Sequence, residues 1–304
     1  MGPKSRQLPA QPLGPFLGPL RRGAGDPSVR RVGDVWWRAS RTPEGPVLLE
    51  IAGGAEVVVR AWGPGADWAL TAVPALLGAE DDPSGFEPHH EVIAAALRQF
   101  GVPRIGRTRA VLEAYAPACL EQKVTGQEAY ASYRTLLLRH GEPAPGPASS
   151  GDRGHPAAGM RLPLSGEQWA ALPSWAFIRA GVDRSRTVAL LAGARRADAL
   201  ERTLTRSGPQ ADQALQSLPG VGPWTSAEVR QRAHGDPDAW SDGDYHVPGA
   251  ITLALTGEVL DNDACRELLA PYYGHRLRIQ ALCLRIGLPP RHGPRRTLPT
   301  HLPH

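Results

Sequence analysis

The stretch Leu218 to Ala227, L-P-G-V-G-P-W-T-S-A, constrains this chain more than any other. Two glycines one residue apart interrupt helix-compatible sequence, so the backbone must bend tightly and resume as a helix near Pro223. Proline suits a first helical turn, where its missing N–H is no loss. Glycine tolerates positive φ, and Gly220 and Gly222 are both read as able to adopt it. A turn without β-carbons opens its N–H groups to an anion, and the dipole of the next helix adds to that preference. The pattern predicts two helices meeting through a phosphate-sized bend. Downstream, S-D-G-D-Y-H-V places Asp242 and Asp244 ahead of a helix expected over Tyr245 to Leu255. Asp244 is suited to cap that helix, whose N-terminus favours negative charge. Pro248 and Gly249 interrupt the early part of the pattern and allow a later start.

The remainder sorts into regions by pattern. Residues 1–27 are rich in proline and glycine and are expected to be a disordered lead. Residues 28–88 carry short β-rich runs at Asp34 to Ala39, Val47 to Ala52 and Glu56 to Trp62, with Gly53–Gly54 as a hairpin signal and a helix over Ala66 to Leu77. Residues 89–288 read as helices. Glu91 to Phe100, Thr108 to Leu120 and Glu121 to His140 show apolar residues at helical spacing, and Arg184 to Arg206 is an arginine-laced helical segment. Residues 141–163 read as a proline, glycine and serine linker, and 289–304 as a disordered basic tail. The fold class expected is mostly α, with a small antiparallel β domain ahead of the helices.

Composition narrows the function classes. The formal charge of +4 is a mild bias towards polyanions, supplied almost wholly by arginine. Cys119, Cys265 and Cys283 are scattered, which suits a reducing compartment and no disulfide frame. No His, Cys, Asp or Glu cluster has transition-metal spacing. No apolar run approaches the ~20 residues that span a bilayer, and no secretory h-region opens the chain, so no membrane association and a cytoplasmic location are expected.

The double-glycine block with Asp244 resembles the helix-hairpin-helix and catalytic aspartate of the DNA glycosylase superfamily, most of all the 3-methyladenine-DNA glycosylase II type. Two further matches are L-E-Q-K-V-T-G at Leu120 to Gly126 and A-P-Y-Y-G-H-R at Ala270 to Arg276. The resemblance implies a helical glycosylase core behind a small β domain. It implies a monomeric enzyme of base excision repair that binds double-stranded DNA with a damaged base, flips the base out and hydrolyses its N-glycosyl bond. Asp244 is the implied catalytic acid. Trp224, Tyr245, Tyr272, Gln122 and Lys123 match base-pocket positions, while Gly220, Gly222, Thr225 and His246 match DNA phosphate contacts. No organic cofactor is implied, although a potassium or sodium ion on the hairpin backbone at Leu218 and Val221 is. Bifunctional members carry a lysine where this chain has Trp224, so hydrolysis without lyase chemistry is expected. The iron–sulfur cluster of the endonuclease III branch needs four close cysteines, and this chain has three scattered ones.

Alkylated purines such as 3-methyladenine and 7-methylguanine fit one carboxylate and an aromatic pocket, because a cationic base departs without a general acid and attracts π-faces. Lys123, where better-known members carry an apolar residue, leaves deaminated, oxidised or bulky-adduct bases open. A non-catalytic DNA-binding role for the hairpin is the other alternative.

Overall fold

The computed structural model describes residues 2–287. Its sheet is antiparallel throughout, in the order β1-β5-β4-β3-β2, with β1 at Lys4–Pro9, β2 at Val29–Val32, β3 at Val35–Thr42, β4 at Gly45–Ala52 and β5 at Glu56–Trp62. The β4–β5 hairpin turns at Gly53–Gly54, as the glycine pair predicts, and pairs Ala52 with Val58. Strand alternation sends the two side-chain sets of β3 and β4 into different cores. Trp36, Val47, Leu49 and Ile51 pack with Leu13 and Leu17 of the lead and with Ala69, Leu70 and Val73 of the helix behind the sheet. Trp37, Ala39 and Leu48 face the other way, onto Ala144, Ala148, Ala157, Met160 and Leu162.

Two expectations are corrected here. The 1–27 lead is ordered: β1 adds to β5 as an edge strand, and α1 (Gly14–Leu17) inserts Leu17 into the first sheet core. The Asp26 carboxylate then accepts hydrogen bonds from the backbone N–H groups of Arg22, Ser28 and Val29. Arg22 is buried and pairs with Glu121 at 2.8 Å. The 141–163 stretch is likewise no linker. Its small residues lie close on the sheet, Ala144 N–H donates to the Met160 carbonyl, and Arg161 N–H donates to the Pro27 carbonyl. Low hydrophobicity hid a segment that works by close backbone approach. The tail at 289–304 lies outside the described residues.

The helices are α2 (Ala66–Leu76), α3 (Glu91–Phe100), α4 (Val111–Leu120), α5 (Gly126–His140), α6 (Gly166–Ala171), α7 (Ser174–Arg179), α8 (Arg184–Ala194), α9 (Ala197–Glu201), α10 (Gly208–Gln216), α11 (Pro223–Val229), α12 (Val247–Thr256), α13 (Asn262–Leu269) and α14 (Arg276–Ile286). From α3 onward they form two apolar clusters. In the first, Tyr115 and Leu120 of α4 are surrounded by Leu137 of α5, Trp169, Phe177, Leu190 of α8 and Val229 of α11. In the second, Ile93 of α3 meets Ile251 of α12, Leu269 of α13 and Ile279 and Leu282 of α14. Glu113 of α4 fastens sheet to helices, accepting from Arg38, the Ser40 hydroxyl and the Arg41 N–H. The bend from α10 to α11 belongs to the first helical cluster, and the loop before α12 leads into the second. That junction brings the predicted motifs together.

Candidate active site

The bend forms from α10, Ser217 to Gly222 and α11. Gly220 has φ +78°, and a β-carbon there would sit 2.9 Å from the Ala189 side chain on α8, so the position demands glycine twice over. Gly222 differs from expectation. Its φ of −103° is extended, and its place is the N-cap of α11 with open space around it. The openness that an approaching backbone needs is present; positive φ is not. The two helices are bound across the bend by the Ser226 hydroxyl donating to Asp212, and by Arg230 paired with Asp212 at 3.2 Å.

Gln122 lies in the turn after α4 and joins that turn to the bend. Its side-chain N–H donates to the Gly220 carbonyl and to the Thr225 hydroxyl, each at 2.9 Å. Arg186 fixes the same turn by donating to the Leu120 carbonyl at 3.0 Å. Lys123 follows with φ +56°, a conformation L side chains rarely adopt, at an exposed apex. The Thr225 hydroxyl was expected on phosphate; the residue is 3% exposed and its oxygen faces Gln122, so it serves the inside of the bend.

Asp244 is half-buried between the clusters. One carboxylate oxygen, Oδ1, accepts from the His246 N–H at 2.7 Å and the Val247 N–H at 2.9 Å. These bonds hold the backbone that enters α12, whose N-cap is His246 and which starts two residues later than Tyr245, with Pro248 in its first turn. The other oxygen, Oδ2, accepts from the indole N–H of Trp224 at 3.1 Å. Trp224, two residues after the double glycine, therefore touches the acid 20 positions later, across the junction of the two clusters. A carboxylate has about four lone-pair sites, so three donors leave it able to face a cation. Asp242 is occupied elsewhere: it accepts from Asn262 at 2.9 Å and from Arg266 at 3.0 Å, anchoring the loop on α13.

The three aromatic positions part company. Trp224 is at the acid. Tyr245 is 91% exposed beside it, with its ring edge-on to His246 at 4.8 Å between centroids. Tyr272 is corrected: at 2% exposure it belongs to the second helical cluster, its hydroxyl accepting from the His89 N–H and sharing a hydrogen bond with His90 at 2.7 Å. Burial pushes its phenol above the ordinary range. His246 is exposed next to Asp244. Sequence reasoning did not single out Ser241, Glu228, Gln280, Asn262 or Arg266, all of which hold the acid's loop. Only Glu228 left a signal, since it stands one helical turn after Trp224.

Comparison with solved structures finds the same fold. The 3-methyladenine DNA-glycosylase from Archaeoglobus fulgidus superposes with a TM-score of 0.73 at 17% identity, over 93% of this chain and 97% of that one. It has the fold of the helix-hairpin-helix DNA glycosylases. The same glycosylase fold relates it to the Clostridium acetobutylicum 8-oxoguanine glycosylase/lyase in complex with double-stranded DNA containing cytosine opposite 8-oxoG, with a TM-score of 0.65, 12% identity and coverage of 90% and 92%. A Schizosaccharomyces pombe 3-methyladenine DNA glycosylase in complex with abasic DNA superposes at 0.50, with 13% identity, over 66% of this chain and 92% of that one. No family model matches the chain, and no curated protein does.

Among the described residues, no helix is long and apolar enough to cross a membrane, and no group of three or more His, Cys, Asp or Glu is arranged to hold a metal ion.

Proposed function

We propose that this protein is a monofunctional DNA glycosylase that excises alkylated purines, such as 3-methyladenine and 7-methylguanine, by hydrolysis. The observation that carries the reading is the Asp244 carboxylate held by the indole N–H of Trp224, next to the double-glycine bend. Glycosidic cleavage passes through a cation spread over the sugar ring, and a fixed carboxylate beside that ring stabilises it and orients water. Three donors hold Asp244 in place before the substrate arrives, so little reorganisation is left for the reaction. A base that already carries positive charge leaves without being protonated. One acid is then sufficient.

The bend supplies the hold on DNA. The first N–H groups of α11 have no partner within the helix, and Gly222 leaves room for a phosphate to reach them. The Leu218 carbonyl accepts the Val221 N–H and keeps a second lone pair. That oxygen and the Val221 carbonyl suit a potassium or sodium ion, which would add positive charge beneath the phosphate. Tyr245 and His246, exposed beside the acid, are placed to meet the extruded nucleotide. Extrusion costs a few kcal/mol, least for damaged or mispaired bases. Trp224 occupies the place of the lyase lysine, which removes the amine that would attack the sugar.

Duplexes with single lesions test the reading. Methylated purines are expected to be released as free bases, leaving abasic strands that break only on alkaline treatment, and borohydride is expected to trap no covalent complex. Release restricted to 8-oxoguanine, the substrate class in the name of the Clostridium acetobutylicum protein, would replace the alkylpurine assignment. Borohydride-trapped enzyme would overturn the monofunctional one.

A further inference from the structure

We propose that Ser241 and Glu228 are positioning residues for Asp244, acting through the loop that carries it. The inference rests on the glycosylase reading above and extends it to side chains that touch neither base nor sugar.

Glu228 stands four residues after Trp224, so both project from the same face of α11. Trp224 holds the end of the loop by its bond to Asp244. Glu228 holds the beginning: the Ser241 hydroxyl donates to its Oε1 at 2.7 Å. One helix face thus grips the loop twice, three residues apart. Between the two grips the chain makes a tight turn, in which Asp244 N–H donates to the Ser241 carbonyl at 3.1 Å and Gly243 takes φ +79°. The position of the acid relative to Trp224 therefore follows from where Ser241 sits.

Ser241 has no freedom left. Its hydroxyl donates to Glu228 and accepts from Gln231 at 3.0 Å and from Gln280 at 3.1 Å, which uses its one proton and both lone pairs. Its backbone N–H donates to the Gln280 side-chain oxygen at 2.7 Å. Gln280 belongs to α14 and Glu228 to α11, so this one buried serine joins the two helical clusters at the root of the acid's loop. Glu228 is itself fixed by Arg232, whose guanidinium bonds its carboxylate at 2.7 Å and its carbonyl at 2.9 Å. A buried network in which every member is satisfied specifies a single arrangement. Misplacement of a reacting group by about 1 Å costs on the order of 100-fold in rate.

The test compares wild type with Ser241→Ala, Glu228→Ala and Glu228→Gln. Single-turnover release of 7-methylguanine is expected to fall roughly ten- to a hundredfold in both alanine variants, with the dissociation constant for abasic DNA within about twofold. Glu228→Gln keeps an oxygen for Ser241 and is expected to recover most of the loss. A second readout needs no activity: the indole N–H signal of Trp224, assigned by its disappearance in Trp224→Phe, is expected to exchange with solvent at least ~10-fold faster in Ser241→Ala than in wild type. Thermal unfolding of each variant shows which ones are folded. A folded Ser241→Ala protein with wild-type release and wild-type indole exchange overturns the positioning role. Should wild type release no base from any lesion, the glycosylase reading fails, and indole exchange alone decides whether Ser241 and Glu228 hold Asp244.

Discussion

Three aromatic residues that look equivalent as letters have three different environments. Tyr272 is buried with its hydroxyl satisfied, Tyr245 is almost wholly in solvent, and Trp224 has its indole N–H on the acid. Tyr272→Phe is therefore expected to cost roughly 1 to 2 kcal/mol of stability, for the donor left behind, and to leave base release unchanged. Tyr245→Ala is expected to do the reverse, lowering release or DNA affinity with no change in melting temperature. Parallel melting and single-turnover assays check both, and a slowed Tyr272→Phe enzyme of normal stability would return that residue to the pocket. The sequence carried the place of Asp244 well, because an aspartate ahead of a helix has free N–H groups to meet and the double glycine fixes where the helix of Trp224 begins. It did not carry Tyr272, since matching a spelling says nothing of which neighbouring tyrosine turns inward. The 3-10 turn Ala270–Tyr272, which places Tyr272 inside, leaves Tyr273 out, 71% exposed, with Arg276 over its ring.

At the level of elements, the bend makes a sharp distinction between its glycines. Gly220→Ala forces a β-carbon into positive φ and against Ala189, and is expected to destabilise by about 1 to 3 kcal/mol. Gly222→Ala, extended and uncrowded, is expected to cost well under that in urea unfolding, and to reveal itself in weaker DNA binding instead. Equal losses of stability would contradict the conformations assigned to the two. Beyond α11 the chain continues as a π-helical turn, Arg230–His234, closed by Gly235 in left-handed conformation. Burial drives His234 down to about 4, so the folded protein keeps it neutral while the unfolded chain takes up a proton below about 6.5. Its contribution is full above pH 6.5 and is lost as pH falls towards 4. Unfolding midpoints measured between pH 7.5 and 4.5 are expected to decline with a slope that His234→Gln reduces; an unchanged slope would mean that another group governs. Helices with periodic apolar faces, such as α3, were legible to the residue, and so was β5. β1 and the 141–163 segment were not, because their order comes from partners remote in sequence: β5 for the one and the second face of the sheet for the other.

For the molecule as a whole, the sheet acts as a buttress and the site belongs to the helices. Residues 4–62 and 144–162 enclose a layered unit that Glu113 and the Arg22–Glu121 pair attach to α4. α4 in turn lies under the Gln122 turn, the bend and α8, so the far end of the buttress bears on the bend that we propose grips DNA. Arg278, wholly buried, ties α14 to Asp81 by two bonds of 2.8 Å and steadies the second cluster against the loop that follows α2. The arrangement sets two helical clusters face to face with the Asp244 carboxylate at their junction, and the proposed excision depends on that carboxylate meeting the sugar. The most direct measurement is single-turnover release of 7-methylguanine from a duplex by wild type and by Asp244→Asn, at equal fractions of DNA bound. The expected result is that Asp244→Asn binds the duplex and folds as wild type does while releasing base on the order of 100-fold more slowly. Equal release by the two proteins would contradict it.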